Sequence, residues 1–333
     1  MPKGLLLLNL GSPDAPERAS VARYLRQFLS DPRVIDIPAI PRALLVNAII
    51  APFRSGRSAR AYRSVWTDRG SPLLSHSRDL AESVQGLLGP DWSVALGMRY
   101  GSPSTESALN RLIEVGCGRI AVLPLYPQYS SATTGSSLEE VWEVAGKLWN
   151  TPFLSVVPPF HGHAGYLDAT AAPIRAALDQ APEAHVLFSF HGLPERQVRK
   201  GSEACLKDGC CDQVKPHCYK SQCHATTRAL AERLGLPPER WHIAFQSRLG
   251  RDPWIGPSTE SLTRELAGKG VSSLVVAAPS FVADCLETLE ELGDRLRATF
   301  LSSGGRDFRT APCPNSDPLW AQAVADLARS ALP

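Results

Sequence analysis

The chain has 333 residues, of which 44% are hydrophobic and 20% are charged, as in ordinary globular proteins large enough for two domains. The formal net charge of +2 excludes a general attraction to nucleic acid, and no DNA- or RNA-binding signature occurs. The apolar N-terminal run GLLLLNL is too short to span a membrane and lacks the plan of a signal peptide. We therefore expect a cytoplasmic protein whose thiols stay reduced.

Apolar runs alternate with amphipathic stretches along the whole chain. Continuous apolar strands with helices between them predict an α/β protein with parallel sheets that are covered on both faces. The predicted strands cover residues 4–10, 93–97, 120–125, 153–157, 186–190, 243–246 and 273–278. The predicted helices include residues 19–29, 104–115, 137–148, 166–178, 222–234, 259–268, 284–297 and 320–329.

The two halves of the chain resemble each other. ALGMRYGSPSTES and AFQSRLGRDPWIGPSTES each read as a strand, an arginine and a capped helix start, and GLLLLNLGSP matches HVLFSFHGLP. The repeat predicts two pseudo-repeated Rossmann-like lobes with a cleft between them, lined by residues 9–13, 126–135, 191–194 and 280–284 at the carboxyl ends of strands. The predicted domains are residues 1–160, residues 161–315 and a C-terminal helix over residues 316–333.

An apolar segment in the first half, residues 40–63, departs from this pattern because it ends in four arginines. One interpretation is a buried helix with a solvated basic end. The other is an exposed apolar lip, flanked by cations, that rests on an anionic membrane or closes over an apolar ligand with carboxylates. The arginines are Arg54, Arg57, Arg60 and Arg63.

Two groups of side chains in the second half are candidates for acid–base or metal chemistry. His191 ends an apolar strand, where a neutral imidazole can bind a divalent metal or accept a proton. Asp284, Glu287, Glu291 and Asp294 are spaced three, four and three residues apart, which places them on one face of a helix. A solvated surface face explains such a stripe, but acids at a strand's carboxyl end can also accept protons or pass on a hard cation.

The segment YPQYSSATTGSSLEE supplies hydroxyl groups at the matching place in the first half. Its serines and threonines are typical of helix caps, and they also suit a wall that receives anionic groups at a helix N-terminus. Neither GxxxxGK[ST] nor GxGxxG occurs, so we expect no nucleotide site. The side chains singled out are Tyr126, Tyr129, Ser130, Thr133 and Thr134.

Five cysteines follow the His191 strand in the pattern C-x4-C-C-x6-C-x4-C. In a reducing compartment this density favours a metal site over disulfides. Four thiolates suit a [2Fe–2S] cluster, whereas the spacing is not that of a zinc ribbon, although zinc stays open. We do not expect the adjacent Cys210 and Cys211 both to bind the same cluster. The cysteines are Cys205, Cys210, Cys211, Cys218 and Cys223.

Over nearly its whole length the chain resembles the ferrochelatases, the terminal enzymes of haem synthesis. The motifs SFHGLP, YPQYSSATTGSS, FQSRLGRDPWIGP and ADCLETLEEL occur in the family's order. The resemblance implies insertion of Fe²⁺ into a porphyrin with release of two protons, the last step of haem biosynthesis. It also implies that His191 and Glu287 are the catalytic pair, with Asp284 and Glu291 on an acidic path.

The resemblance further implies a porphyrin site that includes cleft arginines and the hydroxyl-rich loop. Leu10 stands where members acting on coproporphyrin tend to have tyrosine, which favours protoporphyrin IX as substrate. The alternatives are a coproporphyrin III ferrochelatase, a cobalt or nickel tetrapyrrole chelatase, and a non-catalytic haem-binding module. The implied porphyrin-binding residues are Leu10, Arg54, Arg99, Tyr126, Tyr129 and Ser130.

Two regions carry further expectations from the family. The insertion over residues 201–223 resembles the internal cysteine segment with which some bacterial members hold a [2Fe–2S] cluster. Cys223 aligns with a cysteine of members without a cluster, so its ligand role is the least certain. The apolar lip implies docking on the inner face of the cytoplasmic membrane, where an apolar substrate would be received.

Overall fold

The computed structural model describes residues 2–201, 205–207, 209–248, 250 and 252–333. Residues 202–204 and 208 of the predicted cysteine insertion, and residues 249 and 251 of the FQSRLGRDPWIGP motif, lie outside the described residues. Two compact units make up the chain. The first unit comprises Met1–Tyr126, Ser130–Pro158 and Asn315–Pro333, and the second comprises Pro127–Tyr129 and Pro159–Pro314.

The first unit contains a four-stranded parallel sheet in the order β2-β1-β3-β4. Leucines 5 to 8 of the central strand are fully buried, because helices cover both faces of the sheet. The strands are β1 (Lys3–Ser12), β2 (Trp92–Gly101), β3 (Arg119–Pro124) and β4 (Phe153–Val156). The helices are α1 (Arg18–Leu29), α2 (Ala39–Leu44), α3 (Ala51–Val65), α4 (Pro72–Leu88), α5 (Thr105–Glu114) and α6 (Ser136–Gly146), with α12 (Pro318–Ala331) at the end of the chain.

The second unit contains a sheet with the same topology, in the order β6-β5-β7-β8. The two parallel sheets confirm the predicted α/β fold class with a repeated architecture. The strands are β5 (His185–His191), β6 (Trp241–Gln246), β7 (Ser273–Ala277) and β8 (Asp307–Thr310). The helices are α7 (Ala164–Asp179), α8 (Glu195–Arg199), α9 (Tyr219–Leu234), α10 (Thr259–Gly268) and α11 (Arg297–Ser302).

Three segments of π-helix and one turn of 3₁₀-helix, Pro238–Arg240, complete the described elements. Leu45–Ile50 joins α2 to α3, Ser131–Gly135 leads into α6, and Glu287–Leu296 leads into α11. A π-helix bonds residue i to i+5, so its side chains turn more slowly around the axis than in an α-helix. The predicted helix over residues 284–297 begins later than expected, at Glu287. Because this part is π-helical, its acids do not follow an α-helical stripe.

The sequence repeat is reproduced in backbone detail. Ser104 caps α5 by accepting a hydrogen bond from the Ser107 amide, and Ser258 caps α10 by accepting one from the Ser261 amide. The amide of Met98 donates to the carbonyl of Pro103 at 2.7 Å, and the amide of Phe245 donates to that of Pro257 at 2.8 Å. Both PSTES segments therefore return to their preceding strand in the same way before the helix starts.

Candidate active site

His191 is the last residue of β5 and is half-buried. Its Nδ1 lies 2.7 Å from the carbonyl oxygen of Gly192. A carbonyl oxygen only accepts, so Nδ1 is the donor, and in the neutral imidazole the free lone pair is therefore on Nε2. Gly192 itself passes close to the end of β6: its amide donates to the Gln246 carbonyl at 2.7 Å, and a Cβ would lie 2.9 Å from that oxygen. The local backbone thus presents one imidazole nitrogen as a base or metal ligand.

The main chain of His191 is held on both sides. Its amide donates to the Ser280 hydroxyl at 3.1 Å, and its carbonyl accepts from the Tyr219 hydroxyl at 2.8 Å. The ring packs edge-on against Phe281, with 6.5 Å between the ring centroids. These contacts come from the segment after β7 and from the start of α9, so two regions outside β5 hold this histidine.

Glu287 follows β7 and is half-buried at the start of the π-helical segment. Because β5 and β7 are neighbouring parallel strands, their carboxyl ends lie at one edge of the sheet, where β5 ends in His191 and the segment that leads to Glu287 begins. Burial, followed by the charge of Glu287, raises the pKa of the Cys285 thiol well above its usual value. A π-helix at this position is typical of functional sites.

The other two acids of the predicted path have different surroundings. Glu291 accepts a hydrogen bond from the Ser247 hydroxyl at 2.8 Å and lies 3.6 Å from Arg295. Asp284 is 7% exposed and accepts the Thr288 hydroxyl at 2.9 Å and, through both oxygens, the Cys313 amide at 3.3 and 3.4 Å. Asp284 therefore braces the turn before the π-helical segment, whereas Glu291 is more open.

In the first unit, Arg99 is bound into a polar network. Its guanidinium lies 2.8 Å from Asp31 and 3.4 Å from Glu140, and it donates to the Ser136 hydroxyl at 2.7 Å. Asp31 also accepts the Ser136 hydroxyl at 2.5 Å and the Tyr100 hydroxyl at 2.8 Å. Burial raises the pKa of Asp31, but these hydrogen bonds outweigh it and hold the pKa below its usual value. Asp31 was not predicted from the sequence, because a lone aspartate after a helix carries no motif.

Three of the remaining porphyrin-binding candidates, Leu10, Tyr126 and Ser130, belong to the first unit, and one belongs to the second. Leu10 is half-buried in β1, and Tyr126 is buried and accepts a hydrogen bond from Ser137 at 3.5 Å. Ser130 is buried and receives the Thr133 amide at 3.1 Å, so it also serves as a helix cap. Tyr129 belongs to the second unit, where its ring packs edge-on against His217 with 5.1 Å between centroids.

The predicted lip forms one helical run from α2 through Leu45–Ile50 into α3. Its inner side packs on α1, with Val46 fully buried and Ile50 7% exposed. Its outer side exposes large apolar groups, namely Ile40 at 76%, Leu44 at 63%, Ile49 at 55% and Phe53 at 80%. Arg54 follows them and is exposed, with no hydrogen bond or ion pair to another described residue.

The five clustered cysteines form two close pairs and one separate thiol. The Sγ atoms of Cys205 and Cys218 are 3.7 Å apart, as are those of Cys210 and Cys211. Burial, then the paired thiol, raises the pKa of Cys205 to about 11 and that of Cys211 to about 12. Cys223 is fully buried and belongs to neither pair.

Within the described residues, no three histidine, cysteine or acidic side chains converge on a point where one metal ion would bind. In the same part of the chain, no helix combines the length and apolarity that crossing a membrane requires.

The ferrochelatase family model matches residues 2–332. The chain belongs to the ferrochelatase family. A ferrochelatase of Legionella pneumophila (strain Lens) is 44% identical over 330 residues, covering 98% of both chains. A ferrochelatase of Coxiella burnetii (strain Dugway 5J108-111) is 44% identical over 336 residues, covering 99% of this chain and 94% of the relative.

Among solved structures, SirB from Bacillus subtilis with Fe³⁺ superposes with a TM-score of 0.57 at 13% identity, covering 99% of this chain and 96% of that one. At this identity the likeness supports the fold alone. The family match confirms the predicted family, the assignment as a metal chelatase of the lyase class, and iron insertion into a porphyrin as the reaction.

Proposed function

We propose that the chain inserts Fe²⁺ into protoporphyrin IX, with His191 as the proton acceptor. The observation that carries this role is the hydrogen bond from Nδ1 of His191 to the Gly192 carbonyl, which in the neutral imidazole places the free lone pair on Nε2. When a pyrrole N–H bond breaks, its electron pair stays on the ring nitrogen to bind Fe²⁺, and Nε2 takes the proton. Because His191 is half-buried, it releases this proton to solvent before it takes the second.

The carboxylates supply the iron side of the reaction. Fe²⁺ arrives hydrated, and oxygen ligands can replace its waters while the ring nitrogens bind it. We assign this exchange to Glu287 and, one step further out, to Glu291, which Ser247 and Arg295 hold in place. Asp284 has a supporting role in this path, because its oxygens already accept hydrogen bonds from Thr288 and Cys313.

An anaerobic assay with Fe²⁺ tests the reaction and its substrate together. Protoporphyrin IX should give a higher kcat/KM than coproporphyrin III, and Co²⁺ or Ni²⁺ should not be preferred over Fe²⁺. Leu10→Tyr should shift the preference toward coproporphyrin III, since Leu10 offers an apolar contact. No haem formation by the wild-type chain, with porphyrin bound, would instead favour a haem-binding module.

The exposed arginine next to the lip is suited to a porphyrin propionate. Arg54 has no partner within the described residues, whereas the charge of Arg99 is already balanced by Asp31 and Glu140. A guanidinium recognises a carboxylate through paired hydrogen bonds. We therefore place Arg54 on a propionate and regard Arg99 as the support of the wall that carries Tyr126 and Ser130.

The outer side of the lip supports a peripheral place on the inner membrane. Four large apolar side chains flanked by arginines are the composition of a helix that lies in a bilayer surface. Co-sedimentation with vesicles of anionic phospholipid should fall several-fold for a Phe53→Ser/Leu44→Ser double variant. Trp149→Ser is the matched control, because Trp149 is 99% exposed outside the lip. Equal binding by all three proteins would overturn the membrane role.

The cysteine segment (residues 205–218) suits a [2Fe–2S] cluster. Two thiolates on one tetrahedral metal with bonds of about 2.3 Å lie roughly 3.8 Å apart, close to the 3.7 Å within each pair. Two such pairs are the four thiolates that the cluster requires, one pair for each iron. We propose Cys205, Cys210, Cys211 and Cys218 as ligands, which revises the expectation that Cys210 and Cys211 do not bind together.

Anaerobic purification followed by iron and sulfide analysis tests the cluster. Wild type should be reddish-brown with roughly two irons and two sulfides per chain. Cys210→Ser should lose the colour, whereas Cys223→Ser should keep it. Stoichiometric zinc without sulfide, or a colourless Cys223→Ser with a coloured Cys210→Ser, would contradict this ligand set.

A further inference from the structure

The first turn of α9 connects the cysteine segment with His191. α9 begins at Tyr219, directly after Cys218, whose Sγ is 3.7 Å from that of Cys205. The hydroxyl of Tyr219 donates to the main-chain carbonyl of His191 at 2.8 Å. Tyr219 therefore follows a cysteine of the segment directly in sequence and is itself bonded to the active-site histidine.

Tyr219 and Ser280 hold the His191 main chain from two sides. Ser280 accepts the His191 amide at 3.1 Å, and the Tyr219 hydroxyl donates to the His191 carbonyl at 2.8 Å. Tyr219 is 8% exposed, so its bond to the carbonyl is shielded from water. Cys223, which is fully buried, follows in the next turn of the same helix.

The same turn of α9 is tied to the cysteine segment. Ser221 accepts the Lys215 amide at 3.1 Å, and the Gln222 side chain donates to the carbonyls of Lys215 and Pro216 at 3.2 and 2.8 Å. The Gln222 oxygen accepts the Tyr129 amide at 2.7 Å. Because Ser221 and Gln222 are 0% and 1% exposed, these bonds are shielded from water and hold the segment firmly to the helix start.

We infer that Tyr219 is a positioning residue for His191 and that it transmits the state of the cysteine segment to the active site. When the four thiols are held together, Cys218 and hence Tyr219 are fixed, and the His191 carbonyl is held where Nε2 meets the porphyrin. When they are released, the hold on His191 loosens. This inference rests on the proposed function for its catalytic consequence, but the contacts that it concerns lie within the second unit.

The variant Tyr219→Phe removes the hydroxyl and keeps the ring. We expect kcat to fall about tenfold, because displacing a catalytic group by about 1 Å can reduce the rate up to about a hundredfold. KM for porphyrin and the visible spectrum of the purified protein should stay at wild-type values. Thr227→Val is the matched control, since Thr227 is 1% exposed in the same helix and donates to the Cys223 carbonyl at 3.0 Å, away from His191.

A spectroscopic measurement separates positioning from general loss of structure. In protein labelled with ¹⁵N-histidine, the ring-nitrogen signals of His191, assigned with His191→Ala, should move in Tyr219→Phe and in Cys205→Ser but not in Thr227→Val. Unchanged signals and an unchanged kcat in Tyr219→Phe would overturn the positioning role. If Tyr219→Phe does not fold, Ser280→Ala removes the hydroxyl that accepts the His191 amide and is measured in the same way.

A double-mutant cycle tests the transmission itself. Cys205→Ser should lower kcat several-fold in the wild-type background and by less than twofold in the Tyr219→Phe background, because the link is already broken. Additive effects would overturn the transmission while leaving the positioning role intact. Should wild type insert no iron at all, the proposed function fails, and the ¹⁵N signals still decide whether Tyr219 and the cysteine segment act on His191.

Discussion

Leu10 and His191 occupy equivalent positions in the two sheets but differ in side-chain chemistry. Asn9 pairs with Met98 and Phe190 pairs with Phe245, and the amides of Met98 and Phe245 both bond the proline of a PSTES segment. The next residue of each central strand is therefore equivalent, Leu10 in β1 and His191 in β5. One sheet ends in an apolar side chain and the other in an imidazole.

This comparison shows how a repeated scaffold acquires one reaction. The parallel sheet and the capped helices recur in both units, so the backbone delivers two equivalent edges. The side chains then diverge: apolar and hydroxyl groups line the first edge, whereas His191 and Glu287 stand on the second. The roles proposed above follow this difference: substrate contact is assigned to residues of the first edge, and proton and iron handling to residues of the second.

Replacing the two equivalent residues should give the largest contrast. His191→Ala should lower kcat by about 10²–10⁴, the usual contribution of a positioned acid–base group, with little change in KM for porphyrin. Leu10→Ala should instead raise KM several-fold and leave kcat within about twofold, because it removes apolar contact rather than a proton acceptor. Steady-state rates with varied porphyrin measure both. The comparison breaks if Leu10→Ala lowers kcat as strongly as His191→Ala does.

The two arginines of the first unit sharpen the comparison from the side of stability. Arg99→Met should lower the free energy of unfolding by about 3 kcal/mol, because it leaves Asp31 buried without its cation. Arg54→Met should change it by less than about 0.5 kcal/mol, as an exposed side chain does, and should raise KM for porphyrin. Urea unfolding followed by circular dichroism measures the stability. Equal losses in the two variants would contradict the structural assignment of Arg99.

Much of the fold was predictable because its signals are local. Apolar runs located seven strands, and the PSTES caps located α5 and α10, since burial and capping act over a few residues. β8 was missed because Asp307–Thr310 is a short, half-exposed strand whose four residues carry little apolar signal. The π-helical start at Glu287 was also missed, because an α-helical stripe of acids does not encode its pitch.

The candidate site divides in the same way. His191 was predictable because a strand delivers it, and Glu287 because the family motif contains it. Contacts between residues further apart in sequence were not predictable. They are those of Asp31 with Arg99, Tyr219 with His191, and Cys205 with Cys218. Each depends on the tertiary arrangement of side chains that carry no pattern of their own.

The edges of the two sheets at the amino-terminal ends of the strands should differ in their response to acid. Nδ1 of His185 lies 2.9 Å from Nε2 of His242 at the start of the second sheet, whereas Lys3 lies over Trp92 in the first. Burial and then the charge of His185 lower the pKa of His242 to about 4, and burial also lowers that of His185. The unfolded chain, with ordinary histidines, binds protons that the folded chain excludes as the pH falls from about 6.5 to about 4.

Stability should therefore be constant above about pH 6.5 and should fall by on the order of 2 kcal/mol as the pH drops toward 4. His242→Gln removes one of the depressed histidines and should reduce the slope in this pH range, while His224, whose pKa burial also lowers to about 4, keeps part of it. Urea midpoints at pH 7.5, 5.5 and 4.5 give the slopes of both proteins. Parallel slopes for wild type and His242→Gln would show that other groups carry the acid sensitivity of the second unit.

The helix caps should show the smallest effect, and the two units should agree in it. Ser104 accepts the Ser107 amide at 3.1 Å and Ser258 accepts the Ser261 amide at 3.4 Å, each at the first turn of a ten-residue helix. Removing such a cap costs about 1 kcal/mol, so Ser104→Ala and Ser258→Ala should lower the free energy of unfolding by similar amounts. Because neither serine is among the proposed site residues, kcat should stay at its wild-type value in both variants. A large fall in kcat from only one of them would mean that the repeated start of α5 or α10 has acquired a role that its partner lacks.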